Sequence, residues 1–312
     1  MLARSVPAGD TAHGYVFNAM GTSCALRLFV DSRHQADILA ALAVSEVERI
    51  ERKYSRYKLD SALSIMNREA GDGKNVAVDE ETAGLLDYAF ACYKKSGGLF
   101  DITAGILRRA WNYSSGRLPD DEAVKALLPL IGIDKLIWKP PNLSFSVAGM
   151  ELDFGGIGKE YAVDRLATLL ADEGVNHGLI DLGGDFFAIG PQINGEPWPI
   201  SLRDPRHAGK IMREIALSQG ALTTSGDYER CLEIGGRRYS HILNPRSGWP
   251  VQGLASVTAL APQCMVAGSV ATIAMLKGRD GIGWLANLAL PHLWVDENGQ
   301  QGGSLSVDAR GQ

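Results

Sequence analysis

Cysteine is scarce: Cys24, Cys92, Cys231 and Cys264 are spread through 312 residues, too far apart for a zinc pair or a disulfide framework. Four reduced, largely buried thiols are expected instead. No apolar run approaches the ~20 residues of a membrane span. The longest tidy one is Ile38–Val44. The opening residues lack a charged start followed by an apolar stretch and a small-residue cleavage site, so no secretory leader is legible there. As written, the chain is expected to be cytoplasmic; removal of an export leader would make it periplasmic or membrane-anchored. A basic stripe is missing too. The 31 Lys and Arg residues are scattered and outnumbered by 36 Asp and Glu, giving a net charge of -5, which argues against a nucleic-acid platform.

What is present is the balance of an ordinary globular protein, 46% hydrophobic and 21% charged, with enough chain for a full-sized core in one large domain or two smaller lobes. The most informative stretch runs from Leu152 to Gly190. A strand-like piece is expected to end at Asp153, followed by a glycine turn at Gly155, Gly156 and Gly158 and a helix opening with Lys159. Ala162, Val163, Leu166, Leu169 and Leu170 form that helix's apolar stripe. A second apolar run, Gly178–Leu182, stops at Gly183-Gly184. Glycines between a strand and a helix let backbone N–H groups approach an anion at the positive helix end. A lysine in a first helical turn works against the same dipole, so Lys159 hints at a phosphate shared by both. A plain tight turn is the alternative, and both readings stay open.

Elsewhere, Tyr15–Val30 reads as strand interrupted at Met20-Gly21-Thr22, and Ala36–Tyr54 as helix. A short helix, Ser61–Asn67, has Ser61 as N-cap, and Glu80–Ser96 is a strong helix stopped by Gly97-Gly98. Gly132–Val147 reads as a strand pair turning at Pro140-Pro141-Asn142. Strands are expected at Trp198–Arg203, Glu214–Ser218, Ala221–Thr224, Ala255–Leu260 and Leu293–Asp296. A hairpin is expected over Gly235-Gly236, and a buried helix at Cys264–Lys277. Hairpin-joined strands with inserted helices predict an α+β fold, mostly antiparallel. One domain over residues 15–296 is expected, with loose termini at 1–14 and 297–312.

The standard nucleotide motifs fail. Tyr161 stands where the last glycine of a dinucleotide fingerprint would follow Gly156-Ile157-Gly158, and Glu160 follows Gly158-Lys159 where a phosphate loop needs Ser or Thr. Thr223-Thr224-Ser225-Gly226-Asp227-Tyr228 suits either phosphate or an ordinary turn. His241, at a strand end, is structural or proton-handling. Thr272 lies in a helix of small residues, where hydroxyls commonly bond back to a carbonyl.

Taken in order, Ala19-Met20-Gly21-Thr22, Ser55-Arg56-Tyr57, Phe100-Asp101-Ile102-Thr103, Asp153-Phe154-Gly155-Gly156-Ile157-Gly158-Lys159, Leu182-Gly183-Gly184, Thr224-Ser225-Gly226-Asp227-Tyr228 and Ser240-His241-Ile242-Leu243-Asn244-Pro245 resemble the successive motifs of the ApbE flavin transferases. The resemblance spans about Val16 to Gly278. It implies an α+β, T-fold-related architecture and an FAD:protein FMN transferase. Such an enzyme splits FAD and joins FMN by a phosphoester bond to a Thr or Ser of an acceptor protein, releasing AMP, with Mg²⁺ as cofactor. By position, Met20, Tyr57, Leu99, Phe100, Asp101, Asp153, Lys159, Ile242 and Ala271 would line the FAD site. Tyr57 and Phe100 offer flat faces to rings, and Asp101 or Asp153 can accept from a base or ribose. His241 would handle a proton or bind phosphate. The Gly156 carbonyl (or that of Gly158) and Thr272 would hold the metal.

One departure bears on that metal. Ala267-Gly268-Ser269-Val270-Ala271-Thr272 puts glycine where the family has its metal-binding aspartate. Mg²⁺ prefers charged oxygens, so a weakened or absent metal site is expected, with Asp153, Asp185 or Asp227 as substitutes. Gly268→Asp is expected to tighten Mg²⁺ binding and speed AMP release. Ile102, Ile106, Glu160 and Asn244 also depart from the usual Pro, Pro, Gly and Asp, at positions not expected to carry a ligand. A non-catalytic FAD carrier and a Mg²⁺-dependent FAD pyrophosphatase are the alternative readings.

Overall fold

The structure is a computed structural model describing residues 4–6 and 12–306. Its elements in chain order begin with β1 (Arg4–Val6), β2 (His13–Ala19), β3 (Thr22–Leu28), α1 (Arg33–Tyr54), α2 (Ala62–Gly71), β4 (Val76–Ala77) and α3 (Glu80–Ser96). A 3-10 helix, Ala104–Arg109, precedes α4 (Asp121–Leu127), β5 (Leu136–Lys139), β6 (Asn142–Phe145) and α5 (Gly158–Asp172). Then come β7 (Gly178–Leu182), β8 (Phe186–Gly190), β9 (Trp198–Arg203), β10 (Ile211–Leu217), β11 (Gly220–Gly226), β12 (Cys231–Ile234) and β13 (Arg237–Ser240). The chain continues through β14 (Leu254–Ala261), α6 (Cys264–Lys277), α7 (Asp280–Ala286), β15 (His292–Asp296) and β16 (Gln301–Gly302).

A nine-stranded sheet in the order β1-β2-β3-β7-β8-β11-β14-β15-β16 organises the fold, and its neighbours pair antiparallel as the α+β reading expects. Strand alternation decides what covers each face. Ile180 and Ala221 point into the main core, under α1, α5 and α6. Their neighbours Leu179 and Leu222 point the other way, beneath the β9–β10 hairpin with Trp198, Ile200 and Leu217. A third cluster of Ile106, Leu107, Trp111 and Leu232 fastens the 3-10 segment and α4 to the β12–β13 hairpin.

Several helix ends follow directly from sequence chemistry. Ser61 caps α2 by accepting from Ser64 N at 2.9 Å, and Gly97 closes α3 in the left-handed region, φ 69°. Other expectations are corrected. Leu152–Asp153 is not a strand: Leu152 exchanges hydrogen bonds with the Asn67 side chain and Asp153 N donates to Ile102, so no ladder forms. Part of the expected loose tail is ordered, since β16 pairs with β15, and β1 in the lead-in pairs with β2. Residues 1–3, 7–11 and 307–312 lie outside the described set. No described helix is long and apolar enough to cross a membrane.

Candidate active site

The glycine turn does lead into a helix. Gly158 N donates to Phe154 O at 2.7 Å, and α5 begins there, carrying Lys159 in its first turn. Gly156 permits close packing, because a Cβ there would stand 3.3 Å from the Phe100 ring. Phe100 is therefore buried beneath the turn, its ring serving as the turn's floor. Leu99 and Phe100 are held by Ser96 Oγ, which accepts from their backbone N–H groups at 3.1 and 2.8 Å.

Lys159 Nζ lies 2.7 Å from Asp185 Oδ2, and Asp185 is almost fully buried in the turn between β7 and β8. Burial opposes the lysine's charge, but Asp185 and then Glu160 outweigh it and hold the ammonium protonated above its usual range. Burial pushes the Asp185 carboxyl up, against the pull of Lys159. The Met20-Gly21-Thr22 turn packs against Leu182-Gly183-Gly184 so tightly that any side chain at Gly183 would collide with Thr22. Met20 itself has a positive φ of 51°, and its N–H donates to Glu51 Oε2 at 2.9 Å.

His241 lies at the end of β13, its N–H donating to Arg230 O at 2.9 Å. The ring Nδ1 is buried with no partner among the described residues. Burial lowers its pKa from the ordinary 6.5; the Arg230 and Lys159 charges add to this, while a backbone bond at Arg230 and the Asp227 charge oppose it. The imidazole is thus neutral at neutral pH. Ile242 and Ala271 are buried beside the main core. Thr272 Oγ1 lies 2.9 Å from Ser225 Oγ, so the late helix and the end of β11 meet through two hydroxyls. That contact replaces the expected back-bond of Thr272. The turn expected over Thr223–Tyr228 is strand as far as Gly226, where pairing with β14 holds it.

Tyr57 is 75% exposed and linked to Asp153 through Arg56, whose guanidinium donates to both Tyr57 Oη and Asp153 Oδ2. Asp101 is turned inward. It accepts from Thr103 N at 2.8 Å, Thr103 Oγ1 at 2.6 Å and Ile133 N at 3.0 Å, so both its oxygens serve the fold. The bonds that Asp101 makes do not connect it to Tyr57 or His241. The elements nevertheless share a border: Arg246, from the loop after His241, donates to Gly97 O at 2.5 Å, just ahead of Leu99.

Sequence reasoning missed the neighbour of Lys159. Glu160 is 8% exposed, and its Oε2 has no hydrogen-bond partner among the described residues. Burial first, then the Asp185 charge, push its carboxyl up. Its appearance on the otherwise apolar side of α5 was the available signal. Among the described residues no three His, Cys, Asp or Glu side chains form a ready metal-binding group.

The ApbE family profile matches residues 20–294 of this chain. An FAD:protein FMN transferase of Treponema pallidum is 31% identical over 280 residues, covering 83% of this chain and 77% of that protein. The FAD:protein FMN transferase of Vibrio cholerae is 31% identical over 241 residues, 75% of this chain and 72% of the relative. Among solved structures, the ApbE protein of Thermotoga maritima superposes with a TM-score of 0.84 at 31% identity, covering 94% of this chain and 97% of the other. A flavin transferase ApbE from Vibrio cholerae gives 0.84 at 26% identity, covering 97% of each chain.

Proposed function

The chain belongs to the ApbE family, and from that membership we propose that it is an FAD:protein FMN transferase working at the amino end of α5. The observation that carries this reading within the fold is a charged Lys159 in the first turn of a glycine-led helix, near a neutral His241 with a free ring nitrogen. Anions favour helix amino ends, and a lysine there gives a diphosphate both backbone donors and a point charge.

The reaction is displacement at phosphorus. The hydroxyl of a Thr or Ser on the acceptor protein bonds to the FMN phosphorus, the bond to the AMP phosphate breaks, and AMP leaves with the electron pair. His241 accepts the hydroxyl proton at its free nitrogen, a role that needs the neutral ring its burial produces. Lys159 holds the diphosphate and balances the charge that develops on AMP. Asp185 fixes the lysine's direction from behind. Tyr57, with its face open to solvent, covers the flavin or adenine ring. Arg56 positions Tyr57 against Asp153, and Met20, Leu99, Phe100, Asp101, Ile242 and Ala271 shape the pocket around them.

Mg²⁺ suits the donor chemistry. The Gly156 carbonyl and Thr272 hydroxyl would offer neutral oxygens, and Glu160, whose buried Oε2 has no hydrogen-bond partner among the described residues, would supply the charge a hard cation requires. When bound, the ion would withdraw charge from the diphosphate.

The test is incubation with FAD, Mg²⁺ and a candidate acceptor, reading AMP release and flavin fluorescence fixed covalently to the acceptor. Both together are expected. AMP alone would make the protein a pyrophosphatase, and tight FAD binding with neither would make it a carrier.

A further inference from the structure

Glu160 is a buried carboxyl, one of whose oxygens, Oε2, has no hydrogen-bond partner among the described residues. The packing of α5 against α6 explains how it came to lie there. Asp164 accepts from Cys264 N at 2.6 Å and Met265 N at 2.9 Å, capping the start of α6, for which Gln263 provides no side-chain cap. One turn earlier on α5, Glu160 lies over Gly268, one turn later on α6. A Cβ at 268 would stand 2.6 Å from Glu160 Cγ and 2.8 Å from its Oε1. The two helices therefore run antiparallel, turn against turn: 164 with 264, then 160 with 268. Followed further in the same directions, α6 reaches Thr272 and α5 gives way to the glycine turn of Gly156, the two residues proposed above to offer oxygens to a cation.

We infer that Glu160 supplies the carboxylate of the cation site and that Gly268 is the space that admits it. The charge has changed helices. The motif resemblance places an aspartate on α6 facing a glycine on α5; this chain has the glycine on α6 and the acid on α5. The other candidates are already engaged. Asp153 accepts from Arg56 and from Gly155 N. Asp227 takes both Arg206 nitrogens, at 2.7 and 2.9 Å, and Asp185 takes Lys159. Asp164 is occupied by the α6 amides. Two of these five carboxylates, Asp185 and Glu160, keep a buried oxygen without a hydrogen bond; that of Asp185 lies 2.7 Å from the Lys159 ammonium, so Glu160 Oε2 is the one with neither a hydrogen bond nor an ion pair. The cation's identity as Mg²⁺ rests on the transferase reading; the placement of Glu160 rests on the packing alone.

The experiment titrates the full chain with Mn²⁺ alone, followed by electron paramagnetic resonance, with Mg²⁺ as competitor. Wild type is expected to bind one Mn²⁺ that Mg²⁺ displaces. Glu160→Gln keeps the size and removes the charge. It should weaken binding by at least about tenfold, the lower bound seen even for partners one shell further out. Thermal unfolding checks that this variant is folded. Glu160→Gly combined with Gly268→Asp moves the carboxylate to α6 and should bring affinity back toward wild type. Wild type without a Mn²⁺ site, Glu160→Gln with unchanged affinity, or a double variant no better than Glu160→Gln would each overturn the inference. AMP release from FAD is measured in parallel on wild type. Its absence beside an intact Glu160-dependent Mn²⁺ site would overturn the transferase reading and leave the site standing, and the converse result would do the opposite.

Discussion

Two glutamates, Glu81 and Glu160, show how differently this fold treats the same side chain. Glu81, on α3, accepts from Arg49 at 2.6 and 2.9 Å, from Lys53, and from Tyr161 Oη at 2.7 Å. The Arg49 bonds lead in pulling its carboxyl down to about 2, burial resists, and Lys53 and Tyr161 assist. Glu160 precedes Tyr161 in sequence, but ~100° of helical rotation separates them. It faces α6 instead of α3, and burial pushes its carboxyl up. Where a carboxylate joins α1, α3 and α5, every oxygen is answered by the chain. Where one is left unanswered at the head of α5, folding has not completed the site and a ligand must.

The largest effect should come from Lys159, the cation that faces this incomplete region. Lys159→Met strands the buried Asp185 and is expected to cost about 3 kcal/mol in urea unfolding, as removal of one partner from a buried pair does. AMP release should fall by about a hundredfold or more, on the scale of losing one charge-stabilising donor. Adding Asp185→Asn should restore most of the stability and none of the rate. If the rate returned with the stability, Lys159 would be a packing residue and the contrast with Glu81 would collapse.

Gly268 comes next because its sign is unusual. Gly→Ala inside a helix ordinarily gains about 1 kcal/mol. Here the new methyl would meet Glu160, so Gly268→Ala is expected to lose about 1–3 kcal/mol in thermal or urea unfolding, the range for overfilled cores. In a Glu160→Gly background the same change should become stabilising. The expectation that Gly268→Asp alone would tighten the metal site is revised on this ground: the space an aspartate needs is already filled, and Glu160 must go first.

What was legible in the sequence followed from local rules. The periods of α1, α3 and α5, the apolar run that makes α6 a buried helix, the glycine stop after Ser96 and the β12–β13 hairpin all depend on residues within a few positions of each other. The ordered motifs carried the family. The partnerships across the site were not legible, because each joins residues far apart in sequence: Arg56 with Asp153, Ser225 with Thr272, Glu160 with Gly268. Position 160 looked harmless when read by itself and position 268 looked damaging. Only the antiparallel register of α5 and α6 brings the two positions into contact. Asp101 carries the reverse lesson. Its motif suggests a ligand acceptor, but two donors from Thr103 and one from Ile133 N have claimed it.

The Glu81 side of the comparison is tested by pH. A carboxyl held near 2 against an ordinary 4.5 contributes stability that is complete above 4.5 and is lost as pH falls toward 2. Urea midpoints of wild type should fall through that window, and Glu81→Gln should flatten the fall. At pH 7 the variant should cost about 1 kcal/mol, because the network is partly solvated. A variant that keeps the full acid slope would mean that other carboxylates dominate it.

Tyr57 gives the smallest stability effect and for that reason separates binding from folding most cleanly. At 75% exposure it touches mainly Arg56, whose guanidinium carbon lies 5.0 Å from the ring centre. Tyr57→Ala should shift stability by less than about 0.5 kcal/mol, as exposed substitutions do. A ring that covers a flavin or adenine contributes about 0.5–1.5 kcal/mol, so KM for FAD should rise roughly two- to tenfold. Tyr57→Phe should recover the affinity, because the face and not the hydroxyl makes the contact. If Phe behaved like Ala, the hydroxyl held by Arg56 would be the working part, and the site would recognise FAD through the Arg56–Asp153 pair instead of through a stacked ring.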